Sequence, residues 1–193
     1  MRVVINPGHE QIRDKGAPGA AGVPEATVNR HVARALCALS DATVTYEPKR
    51  QGIVGLSTLT WALHRNPPDV LISLHCNAAK KHPPCIHEGQ VYYWASDPDS
   101  ERRVCSLGLA SAIRDHTEGL MSERVTIRPA PYNRDGKPFT PGILVHTAKV
   151  AAVLVEMLFI SDIHAALAAN RPDWVARTAT ALDNGIRQWA RGL

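Results

Sequence analysis

The sequence predicts a three-layer α/β domain with a largely parallel central sheet, and three observations lead there. Residues 2–6, 70–75 and 150–157 are short, nearly continuous apolar runs, the pattern of strands covered on both faces. The stretches between them carry apolar residues at helical spacing, so strands and helices alternate along the chain. Ionisable residues follow or interrupt each apolar run, and in such sheets functional groups collect beyond the carboxyl ends of the strands.

Taken in order, Arg2-Val-Val-Ile-Asn6 is stopped by Pro7-Gly8 and delivers His9 to a loop. Residues 10–24 hold Gly16, Gly19, Gly22, Pro18 and Pro24 with little periodicity, which predicts a loop over the site. From Glu25, the repeat Val28, Val32, Ala35, Leu36, Leu39 predicts a helix to about Ser40, with Glu25 in or just before its first turn. The β-branched alternation of 42–47 predicts a strand, and Leu56, Leu59 and Leu63 a helix ending before Pro67-Pro68. Val70 to His75 is the central strand. Gln90 to Trp94 reads as another strand, Ser100 to about His116 as a helix, and 122–142, with Pro129, Pro131, Pro138 and Pro141, as a long connection rimming a groove. Val150 to Met157 returns as a buried strand. Two closing helices follow, one starting at Asp162 as its cap and one over 173–191.

At 193 residues the chain is the size of one domain, and it is read as a single unit over 1–193 with no separate binding module. A hydrophobic share of 45% and no apolar stretch approaching 18 residues predict a globular chain with no transmembrane segment. The net charge of +4 is a mild excess with no long basic run, which does not point to nucleic acid and suits an anionic polymer. Cys37, Cys76, Cys85 and Cys105 have no C-x-x-C spacing and are expected to be reduced thiols. The N-terminus goes straight from Met1-Arg2 into the first strand without an apolar leader, so synthesis without a signal peptide is expected.

Two chemistries compete for the ionisable residues. His9, Glu25, His75 and Glu156 lie far apart in sequence, yet each sits at the end of, beside or inside an apolar element, where an unpaired charge is costly. Two imidazoles and a carboxylate also suit a catalytic zinc that keeps a fourth position for water. Glu156, inside Val153-Leu154-Val155-Glu156-Met157-Leu158-Phe159, needs a partner charge, a hydrogen-bond network or a metal-associated water. The bland reading makes Glu25 a helix-dipole acid and Glu156 half of a buried ion pair. A rival metal cluster is Cys76, His82, Cys85 and His87, all within twelve positions. Asp97, Asp99 and Glu101 read as the polar start of a helix.

Four segments together resemble the zinc-dependent N-acetylmuramoyl-L-alanine amidases of the type called amidase 3. They are Ile5-Asn6-Pro7-Gly8-His9, Gly22-Val23-Pro24-Glu25-Ala26-Thr27-Val28-Asn29, Ile72-Ser73-Leu74-His75-Cys76-Asn77, and the run from Val153 to Asp162. The resemblance implies one zinc per chain held by His9, Glu25 and His75, with Glu156 moving the proton. It also implies a substrate of peptidoglycan glycan strands and stem peptides, cut between muramic acid and L-alanine. Asn77 and Glu10 are expected to support the ligands or line the groove. The chain departs from the family pattern at Glu10-Gln11, Glu47-Pro48 and Met157-Leu158, and its short middle region leaves no room for the inhibitory helix of some regulated relatives. A monomeric lytic enzyme of the phage-endolysin kind, made in the cytoplasm and acting on the wall, is the expectation. The alternatives are a zinc peptidase cutting within stem peptides and a non-catalytic wall-binding protein of the same fold.

Overall fold

In the computed structural model the described residues are 1–9, 14–48, 56–79, 87–95, 100–130, 132–134, 137–139, 142–145 and 150–192. Six strands form one sheet in the order β2-β1-β3-β8-β4-β5, from β1 (Arg2–Pro7), β2 (Thr45–Pro48), β3 (Val70–Asn77), β4 (Glu88–Trp94), β5 (Arg124–Ala130) and β8 (Ala151–Phe159). The first four in that order run parallel, and β4 and β5 run parallel to each other. The β4–β8 pair is antiparallel. The mostly parallel sheet expected from the sequence is therefore present, with its last two strands reversed.

Period-two alternation divides the core between two faces. On one face Val3, Ile5, Val70, Ile72, Leu74, Val153 and Val155 pack with Val28, Val32 and Leu36 of α1 (Glu25–Cys37), Leu109 and Ile113 of α3 (Glu101–Thr117), and Leu182 and Ile186 of α6 (Pro172–Arg191). On the other, Val4, Leu71, Leu154 and Tyr92 pack with Leu59 and Leu63 of α2 (Leu56–Arg65) and with Ile143 and Leu144 of α4 (Gly142–Val145). Helices on both faces complete the three layers. The short helix α5 (Ile163–Ala169) begins where expected: Asp162 Oδ1 accepts hydrogen bonds from the backbone N–H of His164 and Ala165.

The structure differs from the sequence reading in the middle of the chain. Residues 122–142 are not simply a long connection, because Arg124–Ala130 forms β5 at the sheet edge. A hairpin of β6 (Tyr132–Arg134) and β7 (Lys137–Phe139) follows, and α4 begins at Gly142. Pro129 is accommodated because an edge strand does not need every N–H for its ladder. The central strands also run further than expected: β3 continues to Asn77 and β8 to Phe159, so His75 lies inside its strand rather than at the tip. The register shifts between His75 and Asn77, where His75 pairs with Glu156 and Asn77 with Phe159. Met157-Leu158 thus faces the single residue Cys76 in a β-bulge, a feature that re-aims side chains.

The cysteine expectation holds for Cys37, Cys76 and Cys105, which are free thiols. Cys85 lies outside the described residues. No helix among the described residues is long and apolar enough to cross a membrane.

Candidate metal centre and active site

His9 is delivered by the turn that ends β1. Its φ of 63° lies in the left-handed region, an uncommon conformation for a residue other than glycine and one that functional sites tolerate. Gly8 precedes it for a steric reason: a Cβ there would fall 2.2 Å from the His75 ring. Gly16 has φ of +67°, and a Cβ on it would sit 2.5 Å from Glu25 Oε2. Both glycines let backbone close in on the His75 and Glu25 side chains.

Glu25 is the first residue of α1 and only 4% exposed. Its Oε1 receives hydrogen bonds from the Cys76 backbone N–H at 3.0 Å and from Asn29 Nδ2 at 3.5 Å, and lies 3.0 Å from His75 Nδ1. Its Oε2 receives the Ala17 N–H at 2.9 Å and lies 3.4 Å from His9 Nε2. The His9 and His75 rings meet edge to face with centroids 5.1 Å apart. Ligand atoms of His9, Glu25 and His75 all fall within 4.8 Å of one another, and no other such group of histidine, cysteine or carboxylate donors occurs among the described residues.

The electrostatics suit a cation. Burial alone would raise the Glu25 pKa, but hydrogen bonds from His75 and His9 outweigh it and hold the carboxyl well below its usual range. The hydrogen bond to Glu25 lifts His9 to about 9 against the opposing effect of burial. In the metal-free protein that raised value favours the fold fully below the free imidazole's 6.5, and the contribution is lost as pH rises through about 9. A metal needs the neutral imidazole. Metal uptake near pH 7.5 should therefore expel about one proton from His9, and apparent affinity should weaken about tenfold per pH unit below 9. Calorimetry in buffers of different ionisation enthalpy measures the proton count directly; metal uptake without proton release would contradict the assignment of His9 as a ligand.

Sequence reasoning missed Asp14. Its Oδ2 lies 2.7 Å from His9 Nδ1, and its Oδ1 accepts the Gly16 N–H at 3.1 Å. A carboxylate on the far ring nitrogen fixes the tautomer and leaves Nε2, which faces Glu25, able to hold a metal. Asp14→Asn should weaken metal binding about 10- to 100-fold while the protein stays folded, since Asp14 is largely exposed. Competition against a chromophoric chelator reads this out, and unchanged affinity would remove Asp14 from the site. The only sequence signal for Asp14 was an acid in the glycine-rich loop.

Glu156 pairs in register with His75 on the neighbouring strand, and Gln90 of β4 pairs with Glu156. In-register neighbours project from the same face, so His75, Glu156 and Gln90 form one row across three strands. Gln90 is a second residue the sequence reading left unassigned; its Oε1 accepts from Asn77 Nδ2 at 3.1 Å and from the Tyr92 hydroxyl. Asn77 also turns its own Oδ1 onto the Ala78 N–H. It braces the row rather than the three-residue cluster. Glu10 lies outside the described residues, as do Asp97 and Asp99. So do His82 and Cys85 of the rival cluster, whose described members are separately engaged: Cys76 Sγ faces Asn29 Oδ1 at 3.5 Å, and His87 Nδ1 faces Glu123 at 4.0 Å. Burial raises the Cys76 pKa well above its ordinary value, as expected of an inert buried thiol.

The chain matches the sequence profile of the family described as Amidase_3, N-acetylmuramoyl-L-alanine amidase, over residues 3–188. It belongs to the amidase 3 family. No curated protein sequence matches it. Among solved structures, it is similar to the N-acetylmuramoyl-L-alanine amidase AmiC2 of Nostoc punctiforme, with a TM-score of 0.81 and 21% identity over 99% of this chain and 97% of that one. It is also similar to the N-acetylmuramyl-L-alanine amidase Ami1 of Mycobacterium smegmatis, with a TM-score of 0.78 and 19% identity over 100% and 98%. A third likeness is to the catalytic domain of the CD27L endolysin targeting Clostridia difficile, with a TM-score of 0.69 and 18% identity over 97% of each chain. At these identities the neighbours establish the fold alone, and the family match establishes membership.

Proposed function

We propose that the chain, working as one catalytic unit over 1–193, is a zinc-dependent hydrolase of the amide between N-acetylmuramic acid and L-alanine in peptidoglycan. The observation that supports this most is the convergence of His9, Glu25 and His75 donors within 4.8 Å beside Glu156, in a chain of the amidase 3 family. The donor set fits one zinc: two imidazoles and one carboxylate leave a fourth tetrahedral position for water. When bound there, zinc would supply Lewis-acid polarisation of the scissile carbonyl and of the attacking water.

The protein's own residues do the rest. His9, Glu25 and His75 bind, with Asp14 and the Cys76 and Ala17 amides orienting them. Glu156 is outside the ligand cluster and adjacent to it, the position of a general base. Its carboxylate takes the proton of the attacking water as the new C–O bond forms at the lactyl carbonyl. It then returns that proton to the nitrogen of L-alanine as the C–N bond breaks. The row of Gln90 and Asn77 beside Glu156 keeps neighbouring side chains fixed during these transfers.

A lytic role belongs to the same reading, supported by the likeness to an endolysin catalytic domain. End-group analysis of purified peptidoglycan after digestion tests the bond cut. New L-alanine amino termini with intact muramoyl glycan are expected. New termini within the stem would instead identify a peptidase, and binding to walls without any product would identify a non-catalytic wall protein.

A further inference from the structure

The polar row at the site does not stop at Gln90. On β5, Thr126 pairs with Gln90, and Arg124 and Arg128 share the face of Thr126 by strand alternation. Glu88, at the start of β4, accepts hydrogen bonds from Thr126 Oγ1 at 2.6 Å and Arg128 Nη2 at 3.3 Å. Toward β1 the described polar groups are already engaged: Gly8 lies against the His75 ring, and one and two steps back along the strands Asn6 and Ser73 are fully buried and bonded to each other and Glu47 of β2 is paired with Arg2. Among the described residues, polar groups continue from the metal centre over β8, β4 and β5, where Gln90 is buried, Thr126 half-buried, and Arg124 and Arg128 exposed.

Two strand spacings separate Glu156 from β5, about 10 Å between backbones, and the arginine side chains shorten that span. Arg128 is 44% exposed, and one contact to Glu88 leaves most of its five N–H donors available in a planar fork suited to a carboxylate. Among the described residues Arg124 makes no ion pair, and its in-register neighbour Glu88 is engaged by Thr126 and Arg128. Stem peptides continue from L-alanine into D-glutamate linked through its γ-carboxyl. This leaves an α-carboxylate that some walls carry as an amide. In an extended chain that group lies about 7 Å from the scissile carbonyl.

Resting on the amidase reading above, we propose that Arg128, with Arg124 beside it on β5, holds the free α-carboxylate of the second stem residue. The enzyme then selects acidic stems over amidated ones. Glu88 is a positioning residue that keeps Arg128 along the row.

The test compares muramoyl-L-alanyl-D-glutamate with muramoyl-L-alanyl-D-isoglutamine as substrates of the zinc-loaded full chain, and L-alanyl-γ-D-glutamate with its amide as ligands in an NMR titration. Wild type should prefer the free carboxylate about tenfold in kcat/KM, as one charge-assisted contact allows. Arg128→Gln should abolish the preference through KM with kcat unchanged, and Arg177→Gln on α6 should retain it. Equal kcat/KM on the two substrates, or an equal loss on both in Arg128→Gln, overturns the proposal. If neither substrate is cut, the amidase reading fails, and the titration decides the subsite separately. A carboxylate preference lost in Arg128→Gln then supports it, and no preference removes it.

Discussion

Replacing Glu156 by glutamine will leave zinc bound and lower kcat about 10²- to 10⁴-fold, the usual contribution of a positioned general base. The two halves of that result come from separate observations. Zinc is retained because the mutually close donor atoms belong to His9, Glu25 and His75 and not to Glu156. Turnover is lost because Glu156 is the in-register neighbour of His75 on the same sheet face, and a glutamine there has the shape of the carboxylate without its basicity. Zinc content by elemental analysis, paired with the rate on soluble muramoyl peptides, checks both. Loss of metal with the rate per bound zinc unchanged would make Glu156 a ligand or a structural acid.

His75→Ala will have the opposite pattern. It removes one of three donors and leaves Glu25 Oε1 facing the Cys76 amide without its imidazole partner. Zinc should no longer bind at stoichiometric levels, and activity should fall to background. A thermal measurement separates this from simple unfolding. Zinc at a hundredfold excess over its Kd should stabilise the wild type by about 2.7 kcal/mol and should give His75→Ala essentially nothing. A variant that folds and still shows the full zinc-dependent shift would place the metal elsewhere.

These expectations draw on different levels of legibility in the sequence. The strand runs at 2–6, 70–75 and 150–157 were visible because strands covered on both faces are nearly all apolar. His75 and Glu156 stood out inside them for the same reason. Glu25 was legible as the start of α1 from the helical repeat behind it, and Asp162 as a cap. That His9, Glu25 and His75 meet could be expected only from the family resemblance, since spacings of this length carry no geometry.

What escaped the reading has identifiable physical causes. β5 reads as a connection because Pro129 and the exposed Arg124 and Arg128 mask its alternation, a normal appearance for an edge strand. The contact of Asp14 with His9 depends on a loop with no periodicity to read. Gln90 gained its place only through the antiparallel β4–β8 register, which no local pattern on β4 discloses. The bulge at Met157-Leu158 lies where the sequence departs from the family pattern, so the departure is a matter of backbone shape beside the site.

Mass spectrometry of purified peptidoglycan, treated with protein stripped by chelator and then reloaded with one zinc per chain, joins the metal to the reaction in one readout. Zinc-dependent amidase action requires release of intact stem peptides beginning at L-alanine by the reloaded protein alone. No release by the reloaded protein, or equal release by the stripped protein, would contradict it.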